Sequence, residues 1–354
     1  MELVPRLIAT RNSTPHDELA NVSNRRSHLS PPSTGHLPWV DRLKGIGILC
    51  VVAGHIYYEN PFVEFFYLFH MPLFFVISGY LLRPQADLRA YVLRKARHLL
   101  VPYLCFLALL YPIDFYLKLT DGSPHTLKFF LRLLAAPVLG GKLLDETTNA
   151  FWFVTCLFLT QQLVNLLVVR LSKRLCLTLM AVSLALAYAI ILMAPRFWLP
   201  WGLNVVLGAA PLFYIGYLAR ECKLRTPIWV PILLALLSVI LFAANLLEVL
   251  DMKFANFGTP ILTLLFALAW IELLSEISRR LTPIPWLCAA LETLGAASMV
   301  IMYTHELLGL FCRSVQHLTN LTAYFICQVA VPYLIYLALR RTALTRKLFL
   351  GATA

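Results

Sequence analysis

The chain has 354 residues, of which 60% are hydrophobic and only 14% are charged, and its mean hydropathy is +0.74. Soluble domains contain about 45–50% apolar and about 25% charged residues. This composition excludes a soluble enzyme, a disordered chain and a disulfide-rich secreted protein. The apolar runs are long and continuous rather than short and alternating, which excludes an outer-membrane barrel. The sequence therefore predicts an all-α, polytopic bundle of transmembrane helices.

The net charge of +12 has two alternative explanations. In a soluble protein it would indicate nucleic-acid binding, whereas in a membrane protein Lys and Arg collect in cytoplasmic loops. With the N-terminus in the cytoplasm and ten spans, 23 of the 30 Lys and Arg residues fall on the cytoplasmic side and seven on the other. We therefore expect both termini in the cytoplasm, the lipid bilayer as a partner and no nucleic acid.

Along the chain, residues 1–38 predict a flexible cytoplasmic tail, residues 39–345 the membrane domain and residues 346–354 a second cytoplasmic tail. Each apolar run is near the roughly 20 residues needed to cross a membrane. About ten spans are predicted, at 43–60, 63–82, 98–118, 151–170, 175–194, 203–219, 227–247, 258–277, 294–313 and 321–340. A shorter apolar stretch at 129–139 is interpreted as interfacial or re-entrant, because an eleventh span would invert the charge pattern after it.

The first span contains two ionisable residues, and such residues inside a span indicate function because they are costly unless paired or hydrated. Lys44 lies at the cytoplasmic end and His55 follows eleven residues later. Eleven residues are close to three helical turns, so both side chains share one face about 16 Å apart. The alternative for His55 is a buried histidine that is hydrogen-bonded to a neighbouring helix.

The second span places His70 two residues before Pro72. A proline inside a helix breaks or kinks it and frees a carbonyl group. His70 and His55 fall at similar depth in the outer half of the membrane, where two histidines can line one cavity. Alternatively, His70 bonds the backbone that the proline frees.

Two further groups stand out later in the chain. Arg94 and Arg97 are spaced i, i+3 and share a helix face at the cytoplasmic end of the third span. Paired guanidinium groups suit phosphate, but on the residues alone a positive-inside charge cluster that faces lipid headgroups is the simpler explanation. His305 and Glu306 lie within the ninth span, and each is expected to pair with another helix because adjacent helical residues point about 100° apart.

Taken together, these residues resemble the membrane-bound acyltransferase 3 family over about residues 40–340. Lys44 and His55 match the family's basic residue followed by ten residues and a histidine, and Arg94 and Arg97 match its Arg-x-x-Arg element. His305 resembles a late histidine of the family. Lysine at position 44 and the stretch 69–81 resemble the branch that includes enterobacterial common antigen O-acetyltransferases and fucose O-acetylase-like proteins.

The resemblance implies a bacterial inner-membrane O-acetyltransferase, with residues 39–345 as its acyltransferase domain. Acetyl-coenzyme A would be a co-substrate rather than a bound cofactor, and the acceptor would be a sugar of a surface polysaccharide or lipid-linked glycan. A longer acyl donor such as succinyl stays open. The family's donor phosphates would lie with Lys44, Arg94 and Arg97, and we group Asp41 with them.

For catalysis, the resemblance implies that His55 is a general base or a transient acyl carrier, and we add His70 and His305 to the catalytic candidates. No His or Cys residues have zinc-ligand spacing, so no metal site is predicted. A proton-coupled exporter of sugars or oligosaccharides would also use intramembrane His and Glu residues. A non-catalytic sensor or assembly subunit is the third alternative, but it would not need a basic residue aligned with a histidine.

Overall fold

The computed structural model describes residues 37–57, 60–120, 126–223, 226–314 and 320–352. Within these residues the regular structure is helical, and the strand-like pairing is limited to an isolated bridge between Asp251 and Asn256. The predicted all-α class is confirmed. The predicted N-terminal tail lies outside the described residues except at its end.

Long helices account for most of the described chain. In chain order they are α1 Pro38–Ile56, α2 His70–Tyr80, α3 Leu88–Thr120, α4 Leu127–Leu139, α5 Trp152–Arg170, α6 Lys173–Met193, α7 Val206–Glu221, α8 Trp229–Ala243, α9 Leu262–Arg280, α10 Pro285–Ser314, α11 Leu321–Leu339 and α12 Ala343–Phe349. Shorter helical segments are Pro61–Glu64, Phe65–Leu68, Gly141–Leu143, Glu146–Phe151, Pro200–Gly202 and Met252–Phe254.

Six helical stretches of the described chain are long and apolar enough to cross a membrane. They are Leu88–Thr120, Glu146–Arg170, Lys173–Met193, Pro200–Glu221, Pro285–Cys312 and Leu321–Leu339. The other four predicted spans correspond to helices that do not meet these criteria. Two of them are shorter than the six, namely Phe65–Tyr80 and Trp229–Ala243. The other two, α1 and α9, contain more charged residues. The count of ten spans and the orientation of the termini stay predictions.

The second predicted span is interrupted beside His70. The 3-10 segment Phe65–Leu68 is followed by Phe69, whose backbone φ of −134° is not helical, and α2 begins at His70. Pro72 thus lies in the first turn of α2, where a missing N–H costs no helical hydrogen bond. The break that the sequence predicts therefore comes before the proline rather than at it.

Helix α4 covers the stretch that was interpreted as interfacial. Leu133 and Ala136 are buried, whereas Leu127, Leu134 and Val138 are strongly exposed. A helix with one packed face and one open apolar face is typical of a segment lying along a membrane interface.

Helices α1 and α10 approach each other until their backbones touch. A Cβ atom at Gly45 would lie 2.2 Å from the carbonyl oxygen of Leu291, and one at Gly295 would lie 1.9 Å from that of Asp41. Only glycine permits this separation at either position. The contact matters because α1 carries Lys44 and His55, whereas α10 carries His305 and Glu306.

Arg42 strengthens the same crossing. It is 8% exposed, its Nε donates to Glu292 of α10 at 2.8 Å, and a second nitrogen donates to the Ser278 carbonyl of α9 at 2.9 Å. The charge of the buried Arg42 is therefore paired with the partly exposed Glu292, as burial of a charge requires.

The predicted C-terminal tail begins inside α12. The ring of Phe349 lies 5.1 Å from that of Phe106 on α3, so the start of this tail packs against the membrane domain.

Candidate active site

A cavity of about 440 Å³ lies within the bundle, and both Lys44 and His55 line it. Ile48 and Val51, which lie between them on the same face of α1, line it as well. The 3.6-residue period of the helix produces this stripe, because positions 44, 48, 51 and 55 recur every three or four residues. The structure thus brings together the two residues that the spacing predicts on one face.

The cavity lining is apolar in the middle and polar at its ends. Met71, Phe74, Phe153, Met299 and Met302 contribute the apolar part. At the His55 end the lining includes Tyr67, His70, Asn149, Asp251 and Lys253, and at the other end it includes Lys44, Ser78 and Ser298. A long molecule with a polar head and a thin apolar arm fits this distribution.

His55 is bonded to a carboxylate of another helix. Its Nδ1 lies 2.8 Å from Oε1 of Glu306, and the two side chains are 22% and 16% exposed. A carboxylate accepts and does not donate, so Nδ1 carries the proton. In the neutral imidazole, Nε2 then carries the ring lone pair, and a histidine base accepts a proton on such a nitrogen.

Asn149 and Lys253 extend this contact. The amide Nδ2 of Asn149 donates to Oε1 of Glu306 at 3.1 Å, and Lys253 Nζ donates to the amide oxygen of Asn149. Lys253 also donates to the carbonyl of Leu144 at 2.8 Å. A continuous chain of hydrogen bonds therefore runs from Lys253 to His55.

His305 lies behind Glu306 and is completely buried. Its Nδ1 lies 3.0 Å from the carbonyl of Ile301 and 2.9 Å from that of Met302, while its ring centroid is 5.1 Å from that of His55. Its Nε2 is 3.8 Å from Glu306 Oε1 and has no hydrogen-bond partner among the described residues. Unlike His55, it is not among the described residues that line the cavity.

His70 lines the cavity beside Tyr67, with the two rings edge to face at 4.9 Å. Its Nδ1 lies 2.6 Å from the carbonyl of Phe66, so that nitrogen donates. This bond ties α2 to the preceding 3-10 segment, which is the kind of backbone role that the sequence left open for His70.

The residues predicted to bind the donor are only partly brought together. Lys44 lines the cavity and its Nζ lies 3.1 Å from Asp41 Oδ1. The Arg94 guanidinium lies 5.6 Å from the centroid of the Tyr91 ring, and Arg97 is exposed. Neither arginine is among the described residues that line the cavity.

Two charged residues of the connection between α8 and α9 face the His55 end. Burial raises the pKa of Asp251, and the nearby N–H of Phe254 and the charge of Lys253 oppose that rise. Burial lowers the pKa of Lys253, and the negative charges of Asp145, Glu306 and Asp251 oppose that change. Both groups are therefore easier to neutralise than the same groups on an open surface.

His55, His305 and Glu306 also have donor atoms within 4.8 Å of one another, compact enough for a metal ion. This grouping is not visible in the linear spacing of the residues. Ligands of one tetrahedral ion, at bond lengths of 2.0–2.1 Å, lie roughly 3.3 Å apart. The 2.8 Å between His55 and Glu306 is instead a hydrogen-bond distance, and we interpret the group as a hydrogen-bonded cluster.

The sequence profile of an acyltransferase domain, that of the acyltransferase 3 family, matches residues 37–337. The chain belongs to the acyltransferase 3 family. The predicted resemblance is thereby confirmed at family level, and with the apolar helices it identifies a multi-pass membrane acyltransferase. Comparison with the curated proteins and with the solved structures yields no match. The resemblance to the O-acetyltransferase branch stays a prediction.

Sequence reasoning missed Asn149, Asp251 and Lys253 of this acyltransferase. Asn149 and Lys253 lie in short 3-10 segments outside the long helices, where no helical periodicity assigns a face. One signal was present: Lys253 is one of the seven Lys and Arg residues on the side that the positive-inside pattern leaves poor in charge.

Proposed function

We propose that this protein is a bacterial inner-membrane O-acetyltransferase. It moves an acetyl group from cytoplasmic acetyl-coenzyme A to a hydroxyl of a sugar in a surface polysaccharide or lipid-linked glycan. One observation carries the proposal: a single cavity is lined by Lys44 at one end and by the carboxylate-bound His55 at the other.

The donor enters from the Lys44 end. Its phosphates meet Lys44, which Asp41 orients, and the exposed Arg97 and neighbouring Arg94 add positive charge at the start of α3. Lys95 lies one helical turn before Leu99, which lines the cavity. Its side chain is therefore on the face of α3 that is directed towards the cavity. The apolar middle of the cavity takes the thin pantetheine arm, which carries the thioester towards His55.

At the reacting centre, Glu306 holds the Nδ1 proton of His55 and leaves Nε2 as the base. The acceptor oxygen attacks the thioester carbonyl carbon while its proton passes to Nε2. The carbon–sulfur bond then breaks, and the coenzyme A thiolate leaves and takes the proton from His55. Catalysis needs no metal or redox step in this scheme, since every atom comes from the two substrates and the histidine.

The acceptor approaches from the opposite end. Tyr67 and Asp251 provide a hydroxyl and a carboxylate group at the His55 end of the cavity. Such groups bind the hydroxyls of a sugar, and they distinguish this end from the apolar middle of the cavity.

The test uses purified protein in lipid nanodiscs, radiolabelled acetyl-coenzyme A, and a glycan and lipid extract of cells that express the protein. We expect coenzyme A release together with label in the glycan fraction. His55→Ala should abolish both without changing the amount of folded protein. His98→Ala is the matched control, because this histidine is not among the described residues that line the cavity.

Retained transfer in His55→Ala would remove this residue from the mechanism. Label that stays attached to His55 after acid quenching would make it an acyl carrier rather than a base. In sealed vesicles, movement of unmodified saccharide without acetylation would instead identify a transporter.

A further inference from the structure

We infer that Asn149 and Lys253 are positioning residues that hold Glu306 and thereby keep the His55 proton on Nδ1. The inference rests on the proposed function, because it assigns a role to two residues that touch neither the reacting atoms nor the donor in that scheme. It connects the segments Glu146–Phe151 and Met252–Phe254 to the base on α1.

The direction of each hydrogen bond follows from the chemistry of its partners. The Lys253 ammonium has donors and no acceptor, so it meets the oxygen of the Asn149 amide. The NH₂ group of Asn149 must then point the other way, and it lies 3.1 Å from Glu306 Oε1. The same oxygen accepts the proton of His55 Nδ1 at 2.8 Å. Every bond in the chain thus runs towards Glu306.

Lys253 can serve as a fixed end of this chain because it is itself held in place. Its ammonium also donates to the carbonyl of Leu144 and lies 5.7 Å from the centroid of the Phe254 ring. An amide that was free to rotate would present oxygen to Glu306 half of the time, and two acceptors would then repel each other. Lys253 removes that alternative, because its ammonium fixes the amide oxygen on the side away from Glu306.

Packing alone does not explain why the hydrogen bonds of Lys253 and Asn149 both run towards Glu306. Both residues line the cavity rather than the sealed core, so neither fills a closed space between helices. Within the part of the chain that the structure describes, the titratable groups that face this cluster are His55 on α1, His305 and Glu306 on α10, and His70, Tyr67 and Asp251 at the cavity wall. Asp145 and Lys118 also lie near Lys253.

Asn149→Asp tests the direction of the chain, because an aspartate still accepts from Lys253 but cannot donate to Glu306. We expect kcat for acetyl transfer to fall roughly tenfold or more, the effect of losing one charge-assisted hydrogen bond, while KM for acetyl-coenzyme A changes less than about twofold. Asn165→Asp is the control, since it introduces the same carboxylate at a fully buried site where the amide bonds Gln85.

Lys253→Met should give the same loss of kcat, and Lys253→Arg should recover most of it because arginine also donates without accepting. Lys142→Met is the control, as Lys142 contacts the Trp198 ring outside the cavity.

Burial lowers the pKa of Lys253, so the wild-type rate should fall at alkaline pH as the ammonium is lost. Lys253→Arg should move that alkaline fall to higher pH.

Unchanged kcat in Asn149→Asp, or an arginine variant as inactive as the methionine variant in properly folded protein, would overturn the positioning role. These outcomes are separate from the proposed function, which fails if the wild-type protein transfers no label from acetyl-coenzyme A to the glycan fraction. A rise in KM for acetyl-coenzyme A without a fall in kcat would assign the two residues to donor binding instead.

Discussion

Glu306 is the residue on which the chemistry of the site converges. Its Oε1 accepts hydrogen bonds from His55 and Asn149, and His305 lies 3.8 Å away. A carboxylate in this place does two things for a base: it selects the tautomer, and it stabilises the imidazolium that forms during transfer. In the proposed mechanism, Glu306 Oε1 would do both for His55.

Glu306→Gln tests this role without changing the size of the side chain. The amide can offer an N–H to His55 Nδ1, which would move the imidazole proton to Nε2 and block the base. Loss of the corresponding charge in a Ser-His-Asp triad lowers kcat about 10⁴-fold, and we expect at least a roughly hundredfold loss of acetyl transfer.

Glu276→Gln is the control for that measurement, because Glu276 pairs with Arg280 on α9 and is not among the described residues lining the cavity. Activity within about tenfold of wild type in Glu306→Gln would show that neither the tautomer nor the negative charge limits the reaction.

At the scale of elements, the site depends on how closely α1 and α10 approach. His55 and Glu306 lie on different helices, and their 2.8 Å bond needs the backbone contact that Gly45 and Gly295 permit. The ion pair between the buried Arg42 and the partly exposed Glu292 joins the same two helices. Gly45 and Gly295 therefore influence the site through the separation of the two helices rather than through their own chemistry.

Gly295→Ala should separate the two helices, because the new Cβ would meet the Asp41 carbonyl oxygen at 1.9 Å. We expect the free energy of unfolding to fall by about 1–3 kcal/mol, as for other overpacked contacts, and acetyl transfer to fall with it. Thermal unfolding in detergent measures the first effect. Ala290→Leu adds more volume at an exposed position of α10 and should leave both quantities unchanged; equal losses in the two variants would contradict this account.

At the scale of the whole molecule, the cavity joins the region of Lys44 to that of His55 across the bundle. The arrangement allows a donor and an acceptor to arrive from opposite ends and meet at one histidine. Under the proposed function, the apolar middle between the two polar ends takes the uncharged arm of the donor.

Met299→Trp should obstruct this passage, because Met299 lines its apolar middle. We expect KM for acetyl-coenzyme A to rise at least roughly tenfold, the effect of losing about 1.4 kcal/mol of binding free energy, in protein that unfolds at the wild-type temperature. Leu265→Trp on the exposed face of α9 is the control. An unchanged KM would mean that the donor reaches His55 by another route.

The amino-acid sequence by itself determined the helical class, the membrane character and the shared face of Lys44 and His55. Composition and a 3.6-residue period are local properties that need no knowledge of neighbouring helices. The break beside His70 was also readable, although its place was not, because the preceding 3-10 segment moves the start of α2.

The residues that complete the cluster are set by contacts between distant segments. Glu306 could be expected to pair with another helix, but its partner depends on the approach of α1 and α10. Asn149 and Lys253 reach the site from short connections where no periodicity marks a face. Contacts between distant segments are set by packing the whole bundle, and that information is not contained in any single stretch of the chain.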